Sequence, residues 1–325
     1  MKGPLLTKEI AERFLAVRYE LDLDRFASIT DDAAQVLSQF KGELYLSGLE
    51  NLSDQSAKYL AMNDDGIDLS GLKDLSDEVA KSISDNGSYL PLDLSGLKKL
   101  SDRSAESLSK LSGELDLSGL NDLSECAAKF LSNHNGAIKL SGLRRTNDCV
   151  AKALAKSREV LYLFGLKELS DDAVESLANS NCDLWLEGEI QSRVYTSMFL
   201  AEPTTDGWLL SEISTLAEQS AEALSKHKGN LDLSGLSEIS DNAAEALSKH
   251  QDFLDLNGLT ELSDSAAEFL AKHKGHLLLE GLSKLSDRAA KALSKHRNLY
   301  VNSKIKYIVS EKQDHREENE TNNSR

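Results

Sequence analysis

"LDLSGLKKLSDRSAESL", residues 92–108, changes its period halfway along. Leu92 and Leu94 alternate with Asp93 and Ser95, the pattern of a short strand with one buried face. From Asp102 onward the apolar residues fall three apart, at Ala105 and Leu108, which is helical spacing. One strand and one short helix cannot bury their own apolar faces, so the fold depends on whether the unit repeats.

It repeats along nearly the whole chain. Equivalent starts fall at Leu21, Leu44, Ile67, Leu92, Leu115, Ile138, Leu161, Leu184, Trp208, Leu231, Leu254 and Leu277, with a partial unit at Leu299 and gaps of 22–25 residues. The consensus is L-x-L-S-G-L-x-x-L-S-D-x-x-A-x-x-L-x-x-H-x-G-x, and positions are numbered below from its first Leu. Stacked copies make one parallel sheet, one row of helices and a shared core. The glycines of the S-G-L step are expected to serve the turn leaving each strand.

These residues resemble the leucine-rich repeats, most closely the cysteine-containing repeats of F-box proteins and the bacterial GALA-type repeats. Leu97, Leu120 and Leu236 stand where those variants carry Cys or Asn, and "ITD" survives at 29–31. The resemblance covers about residues 6–302. It implies an α/β leucine-rich-repeat solenoid with its parallel sheet on the concave face and short helices on the convex face. It says little about function, because one fold hosts many.

The expected organisation is an N-terminal half-repeat with a capping helix over 1–20 and a twelve-repeat solenoid over 21–298. Capping strands follow over 299–309, the second at 305–309 after a turn at Asn302–Ser303, so that the sheet edge is closed. Residues 310–325 carry no apolar periodicity and read as a disordered tail.

The chain has 325 residues, 54 acids against 37 bases, and a net charge of −17. Such a field repels phosphate backbones and anionic lipid, so no nucleic acid and no membrane partner is expected. No apolar run approaches the roughly 20 residues of a spanning helix, and acids interrupt the N-terminus before any signal-like core. Cys126, Cys149 and Cys182 make an odd count without zinc-like pairing. They read as free thiols, which favours a cytoplasmic protein.

Two ladders look chemical. Acids fill position 11 in eleven of twelve repeats, from Asp31 to Asp287, usually after a Ser or Thr. They read as helix-start acids next to N-cap residues such as Ser53, Ser101 and Ser263, rather than as a calcium site. His134, His227, His250, His273 and His296 share position 20 and read as helix-end caps rather than as metal ligands or pH sensors. Cys126 and Cys149 share position 12 of adjacent repeats and read as two unrelated thiols. There is no phosphate loop, nucleophile elbow or zinc-ligand cluster, so neither catalysis nor a cofactor is expected.

Strand positions 2 and 4 point away from the core in such a fold. Position 2 runs mostly through Asp, then through Lys139, Tyr162, Trp185 and Leu209 on four expected successive strands, before Asp returns at 232 and 255. Phe164 stands at position 4 beside Tyr162, where most repeats carry Ser. Clustered outward aromatics have the character of a protein-binding hot spot, although they can also pack on one another beside a poorly formed repeat. That repeat, 184–207, loses the "GLxxLSDxxA" middle, and "GLRRTND" upstream places Arg144 and Arg145 in a loop. The expected binding residues are Tyr162, Phe164, Trp185 and Leu209, with Lys139, Arg144, Arg145 and Glu187 around them. The partner is expected to be a protein with a basic or apolar surface, steered by the flanking aspartates. Alternatives are a substrate-recognition subunit of a ubiquitin-ligase-like or effector system, as the resemblance implies, or a structural array protein. An F-box is not expected in the short segment ahead of the repeats, so this chain alone is not expected to dock a ligase.

Overall fold

The computed structural model describes residues 3–17, 21–63, 65–86, 89–201 and 208–311, with the backbone alone at 208 and 209. The chain forms two compact units, Met1–Leu186 and Glu187–Arg325.

In the first unit, β1 (Leu5–Leu6) and β2 (Ser28–Ile29) form a small parallel pair. A seven-stranded parallel sheet follows in sequence order: β3 (Leu44–Tyr45), β4 (Ile67–Asp68), β5 (Leu92–Asp93), β6 (Leu115–Asp116), β7 (Ile138–Lys139), β8 (Val160–Tyr162) and β9 (Asp183–Trp185). The second unit holds a four-stranded parallel sheet of β10 (Leu231–Asp232), β11 (Leu254–Asp255), β12 (Leu277–Leu278) and β13 (Leu299–Tyr300). Most repeats carry a seven-residue helix, such as Asp102–Leu108, packed on the helix of the next. The architecture is an α/β leucine-rich-repeat solenoid, with the parallel sheet on one face and the helices on the other.

The core is the repeated set Leu92, Leu94, Leu97, Ala105 and Leu108, none more than 2% exposed. Burying each leucine contributes about 1.5–3 kcal/mol. Register follows from this pattern, because a slip of one residue would turn position 1 outward and position 2 inward. Leu92 accordingly pairs with Ile67 and Leu115, and Asp93 with Asp68 and Asp116.

Three devices join one repeat to the next. The S-G-L glycines have no positive φ. A Cβ on Gly96 would lie 2.0 Å from the Ser70 carbonyl oxygen, and one on Gly165 only 1.8 Å from that of Ser141. Close approach of neighbouring repeats, not turn geometry, therefore demands glycine there. Second, Ser53, Ser101, Ser124, Ser170, Ser263 and Ser286 each accept the amide three residues on, as N-caps do. The same hydroxyls donate to Asp31, Asp77, Asp102, Asp148, Asp241 and Asp264, the acids that open the preceding helices. Third, position 20 reaches back one repeat. Asn63 donates to the carbonyls of Phe40 and Gly42 at 3.1 and 3.0 Å, His134 Nε2 to that of Gly113 at 2.9 Å, and His273 Nε2 to that of Asp252 at 3.0 Å. The His134 and His273 rings thus bridge neighbouring repeats, whereas His296 Nδ1 accepts the Asn298 amide at 3.2 Å within its own repeat.

Three expected strands are absent. Leu21–Leu23 stays outside the ladder, and the Asp24 carboxylate takes the Ser47 amide at 2.9 Å. Trp208–Ser211 is a helical turn. A two-residue strand needs a neighbour in register, and the preceding unit has gone over to the long helix Gly188–Ala201. Glu189 stands there where Leu143 and Leu166 bury their side chains after the turn. Residues 303–311 are helical where a strand at 305–309 was expected. Ile305 and Val309 are buried four apart while Tyr307 is 68% exposed, and Asn302 Oδ1 accepts the Ile305 amide as an N-cap. That helix also takes in 310 and 311 of the expected disordered tail. Residues 312–325 lie outside the described residues, as do 1–2 and 18–20 of the expected N-terminal segment.

Candidate binding surface on the sheet of the first unit

Position 2 is usually Asp for a local reason. Oδ1 of Asp68, Asp93 and Asp116 accepts the amide two residues on, at 2.7–2.9 Å, and so holds the turn that follows each strand. Asp232 and Asp255 do the same in the second unit. Lys139, Tyr162 and Trp185 lack this carboxylate, yet β7, β8 and β9 keep their register, Lys139 against Tyr162 and Tyr162 against Trp185. The side chains on this stretch are therefore not required by the turn.

The structure brings three of the expected residues into contact. The Tyr162 and Trp185 rings stack at 6.0 Å with 29° between planes, and the Phe164 ring lies 5.8 Å from that of Tyr162, tilted by 46°. Tyr162 and Phe164 are half-buried, whereas Trp185 remains 52% exposed. Gly165, next to Phe164, lets this repeat approach the Ser141 backbone closely.

Lys139 borders the rings, with its ammonium 2.5 Å from Glu114 and 3.9 Å from Asp116. Burial works against its charge, but the hydrogen bond it donates to Glu114 and the surrounding acids prevail and hold its pKa above the ordinary range. Arg144 and Arg145 are exposed in the loop after β7, where the Arg144 carbonyl accepts the Lys167 amide at 2.7 Å and the Arg145 backbone forms an isolated parallel bridge with that of Glu168. They line the route to the helix rather than the sheet face. Glu187, exposed, and Leu209, whose backbone is helical, belong to the second unit.

A second aromatic row was missed in the sequence. The Phe253 and His276 rings lie 6.4 Å apart, and those of His276 and Tyr300 5.7 Å, on the sheet of the second unit. Phe253 and His276 each stand one residue before a strand, so reading that position along all repeats would have found them.

The histidine ladder is a packed stack. His250, His273 and His296 lie face to face at 6.0 and 5.9 Å, within 10° of parallel, and are 0–6% exposed. Opposed faces pack rings and do not converge nitrogens on a metal. Among the described residues no group of three or more His, Cys, Asp or Glu could hold a metal ion, and no helix is long and apolar enough to cross a membrane.

No family model matches this chain and no curated protein does. Solved structures are similar in fold. An internalin from Listeria monocytogenes is 18% identical over 85% of this chain and 74% of its own, with a TM-score of 0.34. The Drosophila Toll–Spatzle complex gives 14% identity over 83% of this chain and 44% of its own, with a TM-score of 0.38. A leucine-rich-repeat protein of Leptospira interrogans gives 14% identity over 93% of this chain and 96% of its own, with a TM-score of 0.34.

Proposed function

We propose that this chain is a non-catalytic interaction scaffold that binds a partner protein through Tyr162, Phe164 and Trp185 on the sheet face of the first unit. The observation that carries this reading is the contact of three aromatic rings on an outward strand surface, with Trp185 half exposed at its edge. Rings held against one another lose little freedom on binding, which is the economy of aromatic hot spots. The neighbouring carboxylates of Asp68, Asp93 and Asp116 favour a partner whose surface is apolar at the centre and basic around it. The same charge speaks against phosphate-rich partners.

The test compares wild type with the Tyr162→Ala/Trp185→Ala double variant and with Tyr45→Ala as a surface control. Proteins captured by each are quantified, and each recovered candidate is then titrated as a purified pair. A partner that binds wild type and the Tyr45→Ala chain but not the double variant supports the reading. Partners that bind all three chains equally overturn it.

A further inference from the structure

The first unit supplies its own cation beside the aromatic strands, and the second unit has similar surroundings without one. In the first, Lys139 sets its ammonium against Glu114 and Asp116, one strand from Tyr162. In the second, the Phe253, His276 and Tyr300 rings form a row with centroids 6.4 and 5.7 Å apart, and Tyr300 is 47% exposed. Carboxylates stand beside this row. Asp232 and Asp255 are in register on neighbouring strands, and Leu278, the partner of Asp255 on the next strand, is followed two residues on by Glu280. Like charges opposite one another on a sheet repel. Burial, ahead of repulsion from Asp232 and Glu280, raises the pKa of Asp255. The cations of this unit answer other acids: Lys249 pairs with Glu245, Lys284 with Glu261 and Arg288 with Glu268. Among the described residues, no lysine or arginine is ion-paired with Asp232, Asp255 or Glu280. Arg297 and Lys306 line a cleft of about 240 Å³ together with Glu280 and Tyr300, so the acidic strip stops at that end of the row.

We propose that the Phe253, His276 and Tyr300 row and its carboxylates form a second docking surface, on the sheet of the second unit, for an extended arginine-bearing segment of a partner protein. A guanidinium is planar, stacks on ring faces and forks to carboxylates with paired N–H donors. An ammonium has the charge without the flat face. Asp255 stands two residues after Phe253 on the same strand, so ring and carboxylate are offered to one side chain. Tyr300 is in register with Leu278, two residues before Glu280, which offers ring and carboxylate again. A guanidinium set there also relieves the repulsion between Asp232 and Asp255, as Lys139 does for Glu114 and Asp116 in the first unit. This surface shares no residue with that of Tyr162, Phe164 and Trp185, and either can bind without the other.

The test titrates end-blocked tetra-arginine and tetra-lysine into the purified chain by calorimetry at physiological salt. Wild type should bind tetra-arginine about fivefold more tightly than tetra-lysine. Phe253→Leu with Tyr300→Leu keeps apolar side chains and every charge, and should weaken tetra-arginine binding about tenfold. Asp232→Asn with Asp255→Asn keeps the Oδ1 that holds each turn, and should weaken it at least as much. Glu222→Gln with Glu245→Gln removes the same charge from the helices Glu218–Leu224 and Asp241–Leu247, and should change affinity by less than about twofold. Urea midpoints establish that each variant is folded. Equal binding of the two peptides, ring variants that bind as wild type does, a helix variant that loses as much as the strand variant, or no binding to wild type would each overturn the proposal.

Discussion

Replacing Asn63 by Ala removes one of the bridges between repeats, and the structure sets the size of the loss. Asn63 is 2% exposed and makes four hydrogen bonds. Nδ2 donates to the Phe40 and Gly42 carbonyls, and Oδ1 accepts the amides of Asp65 and Gly66 at 2.8 and 3.2 Å. Each is worth about 0.5–1.5 kcal/mol net, and loss leaves backbone groups without partners in a site that admits little water. Asn63→Ala should therefore cost about 4 kcal/mol. Asn63→His should cost about half as much, because histidine fills the same slot elsewhere but reaches a single carbonyl, as His134 does. Urea unfolding followed by far-UV circular dichroism measures both, with the midpoint shifted and the slope unchanged. If Asn63→Ala stayed within about 1 kcal/mol of wild type, position 20 would not be joining the repeats. If Asn63→His were as damaging as Ala, asparagine and histidine would not share a role.

Other outcomes follow from the same geometry. Trp185→Ala should weaken binding of the partner by about 2 kcal/mol or more in calorimetric titration while leaving the unfolding midpoint nearly unchanged. His134, His250, His273 and His296 are held below their ordinary 6.5 chiefly by burial. The unfolded chain thus takes up protons first as pH falls through 6.5, and stability present above that pH is lost below it. Unfolding midpoints between about pH 8 and pH 5 should show the decline, and His250→Gln with His273→Gln should flatten it. Asp255, raised by burial first and then by Asp232 and Glu280, acts with the opposite sign closer to 3.8. Asn302 also donates to the carbonyls of Glu280 and Leu282, so Asn302→Ala should cost about 2 kcal/mol and strip hydrogen-exchange protection from 303–311.

The repeat and its core could be read from spacing because leucine at positions 1, 3 and 6 has one physical use. Strand order followed, since each repeat packs on the next. Tyr162, Phe164 and Trp185 could be placed on one face for the same reason. What spacing did not show was any contact between repeats. An Asp after a Ser reads as a helix-start charge, and nothing local reveals that the next repeat's hydroxyl will bind it. Residues 305–309 alternate like a strand, yet Asn302 ahead of them and the four-residue step from Ile305 to Val309 carried the helical signal. Leu209 was placed by counting through a unit that had already departed from the pattern, and the helix Gly188–Ala201 broke the count.

The bond from six N-cap serines to the acid one repeat earlier gives the chain a polarity. An internal repeat presents a donor toward one neighbour and an acceptor toward the other, like a tile with a tab and a notch. Excising residues 241–263 would splice Ser240 onto Asp264, whose carboxylate already receives Ser286, and would leave that tab in its notch. Copies of this kind can therefore be gained or lost singly without redesign of either side. The number of repeats is open to change, and the identity of each joint is not.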